Sequence, residues 1–447
     1  MKWRVKRSEE RTPNGALKSF CSKSCNITQG HIFYLERVTN VNRLKGAKQM
    51  QRIDREQRNP YRWVILAVAW LAYFSFGLIL SSVPPLATTI SADLSLTHSE
   101  MGAVLGAVIL MYVPLAIPIG IAIDRIGHKR MITLGLVLIS LSSILRMFAL
   151  TFETLFLTVL IFGIGGPTIS VGLPKVVASV FLGRERGIAS GIYMTGFIIG
   201  SAIALALTNA AIMPLVGTWR NAFFLYGIIG IIIAAAWVFL VKQPPPLAEE
   251  KGPTIPLRAT LHHLRGIKSV WIVALIGTSG FLIYYGFGNW LPALLESKGF
   301  NPVEAGLLAS FPTWIGLIGS AFIPGLAKSG NRKPILILIL FLQGISIVVA
   351  GMGTELILLI SLTIFGIFSG AMMPVLLVIL MDLPEVGAEY TGIASGVYFS
   401  IGALFGFIGP TLVGYLTDLT GTFLPAIVLL SLVMEAMIAL AILLKED

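Results

Sequence analysis

Apolar residues in this chain run in long blocks broken by short polar stretches. The blocks fall at about 62–90, 98–123, 131–150, 154–180, 187–210 and 221–241, then at 270–295, 302–327, 334–351, 356–381, 390–416 and 423–444. About 20 apolar residues in a helix cross the hydrocarbon core of a bilayer. The pattern therefore predicts an all-α membrane protein with twelve transmembrane helices, six before and six after the polar stretch 242–268, which holds Pro244, Pro245, Pro246, His262 and His263.

Composition agrees: the chain is 55% hydrophobic and 12% charged, against about 25% charged residues in soluble domains. Charge refines the picture. Of the net +11, a net of +9 lies in residues 1–60, which hold 14 Lys/Arg and 5 Asp/Glu. The basic excess is thus a tail ahead of the first span, and it does not point to nucleic acid. Such a tail is what a cytoplasmic N-terminus carries. It lacks the apolar core and cleavage site of a signal peptide, and its composition suits a flexible segment able to touch anionic lipid. Met50 is a plausible alternative start. The two cysteines, Cys21 and Cys25, lie in this tail near His31, too few ligands for zinc and best read as reduced thiols.

Basic residues between spans set an orientation. Arg125, Lys129 and Arg130 follow span 2, and Arg184 and Arg186 follow span 4. Lys242, Lys251, Arg258, Arg265 and Lys268 lie in the linker, and Lys328, Arg332 and Lys333 follow span 8. The other side shows only Arg146, Arg220 and Lys298 near span ends. Both termini are expected in the cytoplasm of a cell (plasma or inner) membrane. The acidic Asp382, Glu385 and Glu389 depart from the pattern, which carboxylates influence little.

The halves repeat one another. GIASG occurs at Gly187–Gly191 and again at Gly392–Gly396, 205 positions on. Thr97, Glu100 and Gly102 before span 2 match Asn301, Glu304 and Gly306 before span 8 at an offset of 204. Both sets read as helix starts with a capping box. Trp63 and Pro85 match Trp271 and Pro292 at offsets of 208 and 207. The domains expected are a basic tail (1–60), an N-terminal six-helix bundle (61–241), a cytoplasmic linker (242–268) and a C-terminal bundle (269–447).

Span 2 runs into GIAIDRIGHKR, Gly120 to Arg130. This resembles the loop 2–3 signature of the major facilitator superfamily, filled here by Gly120, Asp124, Arg125, Gly127, Lys129 and Arg130, with His128 where Arg is usual. The stretch LPKVVASVFLGRERGIASGI also resembles members near the cyanate-permease and nitrate/nitrite-porter branches. Three features depart from the pattern. Ala327 stands where the second copy of the loop would carry Asp, no Arg lies between Thr158 and Gly163, and the glycine-rich nitrate signature is missing. Proton antiport and nitrate transport therefore lack motif support.

The resemblance implies two pseudo-symmetric bundles rocking about one central cavity, lined by spans 1, 4, 7 and 10 with 2, 5, 8 and 11 beside them. Intramembrane charge is sparse. Arg146 suits snorkelling or function equally. Lys175 is a candidate for the pathway or gate, and Glu435, on a span that is peripheral in this family, suits a carboxyl bonded to a neighbouring helix. Candidate solute-binding residues are then aromatic or amide: Tyr73, Tyr112, Tyr193, Tyr284, Tyr285, Asn289, Trp314 and Tyr398. Each also suits plain packing or an interfacial anchor. The gating set is Gly120, Asp124, Arg125, Gly127, Arg130, Lys175, Arg184, Gly187, Gly191, Thr391, Gly392 and Gly396. In the family the loop 2–3 Asp faces the start of span 11 when the carrier is outward-open, so Asp124 is expected there near Thr391–Ile393. Gly277, Gly280, Gly286 and Gly288 in span 7 suit bending or close packing.

No phosphate loop, metal cluster or nucleophile elbow is found, which disfavours a pump or an enzyme. The expected function is a secondary-active carrier of a small organic solute or small anion, with a neutral or mildly polar compound first. It is read as a monomer in the lipid bilayer, without cofactor or nucleic acid, and with a coupling proton or ion left open. A transporter-like sensor is the alternative.

Overall fold

The computed structural model describes residues 60–241, 263–327, 330–383 and 385–444. The basic tail with Cys21, Cys25 and His31, and most of the linker, lie outside the described residues. Among the described residues, twelve helices are long and apolar enough to cross a membrane. Spans 1 to 6 are Tyr61–Leu94, His98–Ile126, His128–Arg146, Phe152–Val180, Glu185–Val216 and Trp219–Leu240. Spans 7 to 12 are Lys268–Ser297, Pro302–Leu326, Arg332–Met352, Leu356–Met381, Ile393–Thr420 and Leu424–Ile442. The chain is an all-α membrane protein of two pseudo-symmetric six-helix bundles. The end from which span 1 starts is called the near end below, and the opposite one the far end.

Prolines set the local departures from regular helix. Span 1 is helical over Tyr61–Leu80, tightens to a 3-10 turn at Pro84–Leu86 and resumes over Ala87–Leu94. Span 2 breaks at Met111 into His98–Leu110 and Tyr112–Ile126. Pro114 has no N–H for the Leu110 carbonyl, which the ring would also crowd. Span 5 loosens into a π turn at Thr208–Ile212, directly before Pro214.

Both expected capping boxes are present. Glu100 N–H donates to Thr97 Oγ1 at 3.2 Å, and Glu304 N–H to Asn301 Oδ1 at 3.0 Å. In each, the N3 glutamate accepts from the cap backbone. The motif glycine Gly127 turns the chain between spans 2 and 3 at φ +100°, and its counterpart Gly330 sits at φ +89°. A side chain at Gly127 would meet backbone strain of about 1–3 kcal/mol. Gly127→Ala should lower the melting temperature in detergent. Gly288→Ala is the control, placed in a helix with open space beside it; it should hold or raise that temperature.

Helices approach closely where one contributes glycine. Within the first bundle, a Cβ on Gly200 would stand 2.2 Å from the Phe74 carbonyl oxygen, which fixes span 5 on span 1. Within the second, a Cβ on Gly319 would stand 1.8 Å from the Ile367 carbonyl oxygen, which fixes span 8 on span 10. The bundles meet along two seams, span 2 with span 11 and span 5 with span 8.

Candidate solute site and gates

Four of the expected site residues converge halfway along their helices. The hydroxyl of Tyr73 (span 1) stands in the neighbourhood of those of Tyr112, Tyr193 and Tyr284. The hydroxyl of Tyr285 (span 7) stands in the neighbourhood of those of Tyr284, Tyr112 and Tyr73. Tyr73, Tyr112, Tyr284 and Tyr285 thus form one cluster contributed by both bundles. Gly166 makes room for it, since a Cβ there would stand 2.7 Å from Tyr112 Oη. Ser170 Oγ lies 3.4 Å from the same Oη. Asn289, half-buried, places its amide 3.4 Å from the Leu105 carbonyl across the seam.

The equivalent pair Tyr193 and Tyr398 is buried, each 2% exposed. Tyr193 packs on Tyr73 with centroids 5.6 Å apart, and Tyr398 lies edge to face with Phe281 at 5.9 Å, so these two form the wall behind the cluster. Trp314 is 39% exposed on span 8, and none of the aromatic contacts among the described residues includes it. Tyr284 is 42% exposed and stands edge to face with Tyr285 at 5.2 Å and 80°.

At the near end three ion pairs among the described residues each lie within one bundle. Asp124 is paired with Lys175 of span 4, so the contact expected with Thr391–Ile393 is not made in this structure. Arg62 meets Glu185 at 2.7 Å. In the second bundle Arg332 pairs with Asp382 and donates from Nε to the Ala327 carbonyl at 3.3 Å. The two copies of the loop therefore hold ion pairs of opposite polarity, and the acid missing at Ala327 is answered by one at the end of span 10. Gly120, Gly187, Gly191, Gly325 and Gly396 face open space. Gly127 is the turn described above. Arg125 and Arg130 are exposed beside it. Arg184 lies in the first turn of the segment Gly183–Leu207, and Thr391 and Gly392 lie in the second turn of Gly387–Thr420.

The far end is the reverse. A Cβ on Gly102 would stand 2.3 Å from the Pro410 carbonyl oxygen, one on Gly414 2.0 Å from that of His98, and one on Gly306 2.6 Å from that of Leu205. Asp418, in the last turn of span 11, accepts from the His98 N–H (2.9 Å), the Ser99 N–H (2.8 Å) and Ser99 Oγ (2.5 Å), and its Oδ1 lies 2.8 Å from His98 Nδ1. It thereby caps free donors at the start of span 2 from the opposite bundle. Thr88 donates to Glu296 Oε2 at 2.6 Å. The buried Asn209 amide reaches the carbonyls of Pro85 (2.8 Å) and, across the seam, Pro302 (3.2 Å).

These far-end residues were not among the sequence candidates, yet the sequence holds a signal for two of the carboxylates. A carboxylate in the last turn of a helix sits at the negative end of the macrodipole and needs donors from elsewhere. Glu296 and Asp418 stand so at the far end, as the sequence candidate Asp124 does at the near end.

Two polar groups take places that the sequence left open or did not expect. Arg146 does not snorkel: it is wholly buried, donating to Ser142 Oγ at 3.2 Å between the rings of Phe162 and Phe223. Glu435, half-buried, lies against span 9, where a Cβ on Gly344 would fall 2.4 Å from its Oε1, and that oxygen has no hydrogen-bond partner among the described residues, so the expected bond to a neighbouring helix is not seen.

Against known proteins, the family model described as Major Facilitator Superfamily matches residues 69–410. Similar curated proteins include an uncharacterized transporter, YycB, of Bacillus subtilis, 27% identical over 82% of this chain and 90% of that one. The hexuronate transporter of the same organism is 26% identical over 76% and 84%. The 3-(3-hydroxy-phenyl)propionate transporter of Escherichia coli is 27% identical over 80% and 88%. Among solved structures, a bacterial homolog of the human lysosomal transporter Spinster, in an inward-facing and unoccupied conformation, matches with a TM-score of 0.67. That match has 17% identity and covers 86% of this chain and 95% of the other.

Proposed function

The chain belongs to the major facilitator superfamily, a family of transporters and not of enzymes, and from that premise we propose that it is a secondary-active carrier of a small organic solute working by alternating access. One observation carries this reading. The same two helix pairs, 2 with 11 and 5 with 8, are closed backbone to backbone at the far end and open at the near end. A channel has no need of such paired, oppositely set seams. The basic residues Arg125, Lys129, Arg130, Lys268, Arg332 and Lys333 lie at the near end, which the positive-inside rule assigns to the cytoplasm. The state described is then inward-open, in a plasma membrane, with both termini inside. The moving bodies are residues 61–241 and 269–447, joined by the linker 242–268.

Solute-dependent counterflow in proteoliposomes tests the reading: labelled solute inside should exchange faster against unlabelled solute outside than against buffer. Solute binding without any exchange would make the protein a receptor and end the carrier assignment.

In the outward-open state Asp124 leaves Lys175 for the start of span 11, near Thr391–Ile393. Asp124→Asn weakens that contact, so cytoplasmic-side cavity positions should be labelled more heavily in this variant. Unchanged labelling would remove Asp124 from the gate.

A further inference from the structure

The tyrosine cluster has a property that narrows the solute. Three of its phenol hydroxyls, on Tyr73, Tyr284 and Tyr285, make no hydrogen bond among the described residues. They nevertheless stand near one another. Among the described residues, the titratable neighbours of Tyr73 and Tyr285 are tyrosines, with no Lys, Arg, Asp or Glu among them. Lys175 is paired with Asp124 and Arg62 with Glu185, and the buried Arg146 is set behind the rings of Phe162 and Phe223. A carboxylate placed among these hydroxyls would have donors and no counter-charge. In a low-dielectric site an uncompensated charge is strongly disfavoured against water.

The shape is equally specific. Tyr284 and Tyr285 stand at 80°, with centroids 5.2 Å apart, making a corner of two ring planes. Phe281 continues it, stacked 6.3 Å from Tyr285, and Phe399 stands at 90° to Phe281. On the opposite wall Tyr73 lies 5.7 Å from Phe76, near parallel, and 5.5 Å from Phe197. A flat ring in that corner would stack on one face and meet the other edge-on, the two arrangements aromatic rings prefer.

We infer that the cluster of Tyr73, Tyr112, Tyr284 and Tyr285 selects an uncharged, ring-bearing solute with one or a few hydroxyl or carbonyl groups. Tyr284 and Tyr285 supply the ring corner, and the three free hydroxyls bind the polar groups. Tyr112 is a positioning residue, held by Ser170 and by the space at Gly166. Polyhydroxylated sugar acids are excluded twice, by charge and by having more polar groups than the site can satisfy. The inference rests on the carrier reading only for its transport arm.

The test is a matched panel on purified full-length protein: 3-hydroxybenzyl alcohol (neutral, aromatic), 3-hydroxybenzoate (its anion-bearing partner), myo-inositol (neutral, no aromatic ring) and glucuronate. Equilibrium binding and counterflow are both measured. The neutral aromatic compound should bind at least about tenfold more tightly than the other three. Tyr284→Phe and Tyr73→Phe keep the rings and remove one hydroxyl each, so each should weaken binding about three- to tenfold. Preference for glucuronate or 3-hydroxybenzoate, binding unchanged in both Phe variants, or no binding by any of the four would overturn the inference. The two readings fail separately. Counterflow of glucuronate alone keeps the carrier and sinks the solute class, whereas binding of 3-hydroxybenzyl alcohol without counterflow keeps the class and sinks the carrier.

Discussion

Gly102→Leu is expected to abolish transport while leaving a folded, membrane-inserted protein. In the closed far seam a Cβ at position 102 would stand 2.3 Å from the Pro410 carbonyl oxygen and 2.9 Å from the Thr411 Cα. These are backbone atoms of another helix, so no rotamer change relieves the overlap. Overpacking in well-packed cores costs about 1–3 kcal/mol and sometimes more, and here the whole cost falls on the state in which the seam is shut. Opening the far end removes it, so the population should move towards outward-open by at least about tenfold. A single-cysteine reporter at Gly191, which faces open space at the near end, reads the shift once Cys21 and Cys25 are replaced by serine. It should lose reactivity in the Gly102→Leu background. Gly120→Leu, at the open end of span 2, should block transport with the reporter still reactive. If Gly102→Leu transports normally and the reporter stays reactive, the far seam does not close during the cycle as argued.

Asp418→Ala is the second variant with a large expected effect. Its carboxylate takes three donors from the start of span 2 within 2.5–2.9 Å. A hydrogen bond to a charged group contributes about 1.5–3 kcal/mol. Asp418 is partly solvated, which reduces the sum, so the expected loss is roughly 1.4–3 kcal/mol, or about 10- to 100-fold towards outward-open. The same Gly191 reporter measures it. His98→Ala should shift the population less, because the backbone N–H donors at 98 and 99 remain. Asp124→Asn weakens the opposite, outward-open state, so the Asp124→Asn and Asp418→Ala double variant should sit nearer the parent distribution than either single change. An Asp418→Ala reporter signal equal to that of the parent would show that packing alone holds the far end.

The twelve spans and the duplication were legible because they rest on composition and on repeats at one spacing. Helix starts were legible at Thr97 and Asn301 because a capping box is a local code. The helix breaks were less so. Pro114 and Pro214 each carry the chemical reason for a break, yet a proline in a long apolar run also fits an unbroken, kinked helix. Aromatic site residues were legible as a set but not as individuals. Tyr193 and Tyr398 share a sequence position with respect to the repeat and end as wall, whereas Tyr73 and Tyr285, one or two turns from other rings, end in the cluster. That distinction depends on which helix lies opposite, and periodicity along one helix carries no information about its neighbour. Asp382 shows the same limit. Read along the chain it breaks the charge rule; in space it answers Arg332.

The break at Met111 has a mechanical consequence. It divides span 2 into an anchored arm, His98–Leu110, clamped to span 11 at the far end, and a free arm, Tyr112–Ile126, that ends at Asp124 and its turn. Tyr112 stands at the fulcrum. With a helical rise of about 1.5 Å per residue, Asp124 lies roughly 18 Å out along the free arm. Each 10° of bend at Met111 then swings that carboxylate about 3 Å, enough to carry it out of reach of Lys175. On the alternating-access reading proposed above, a solute touching Tyr112 would press on the pivot of a lever whose tip carries Asp124.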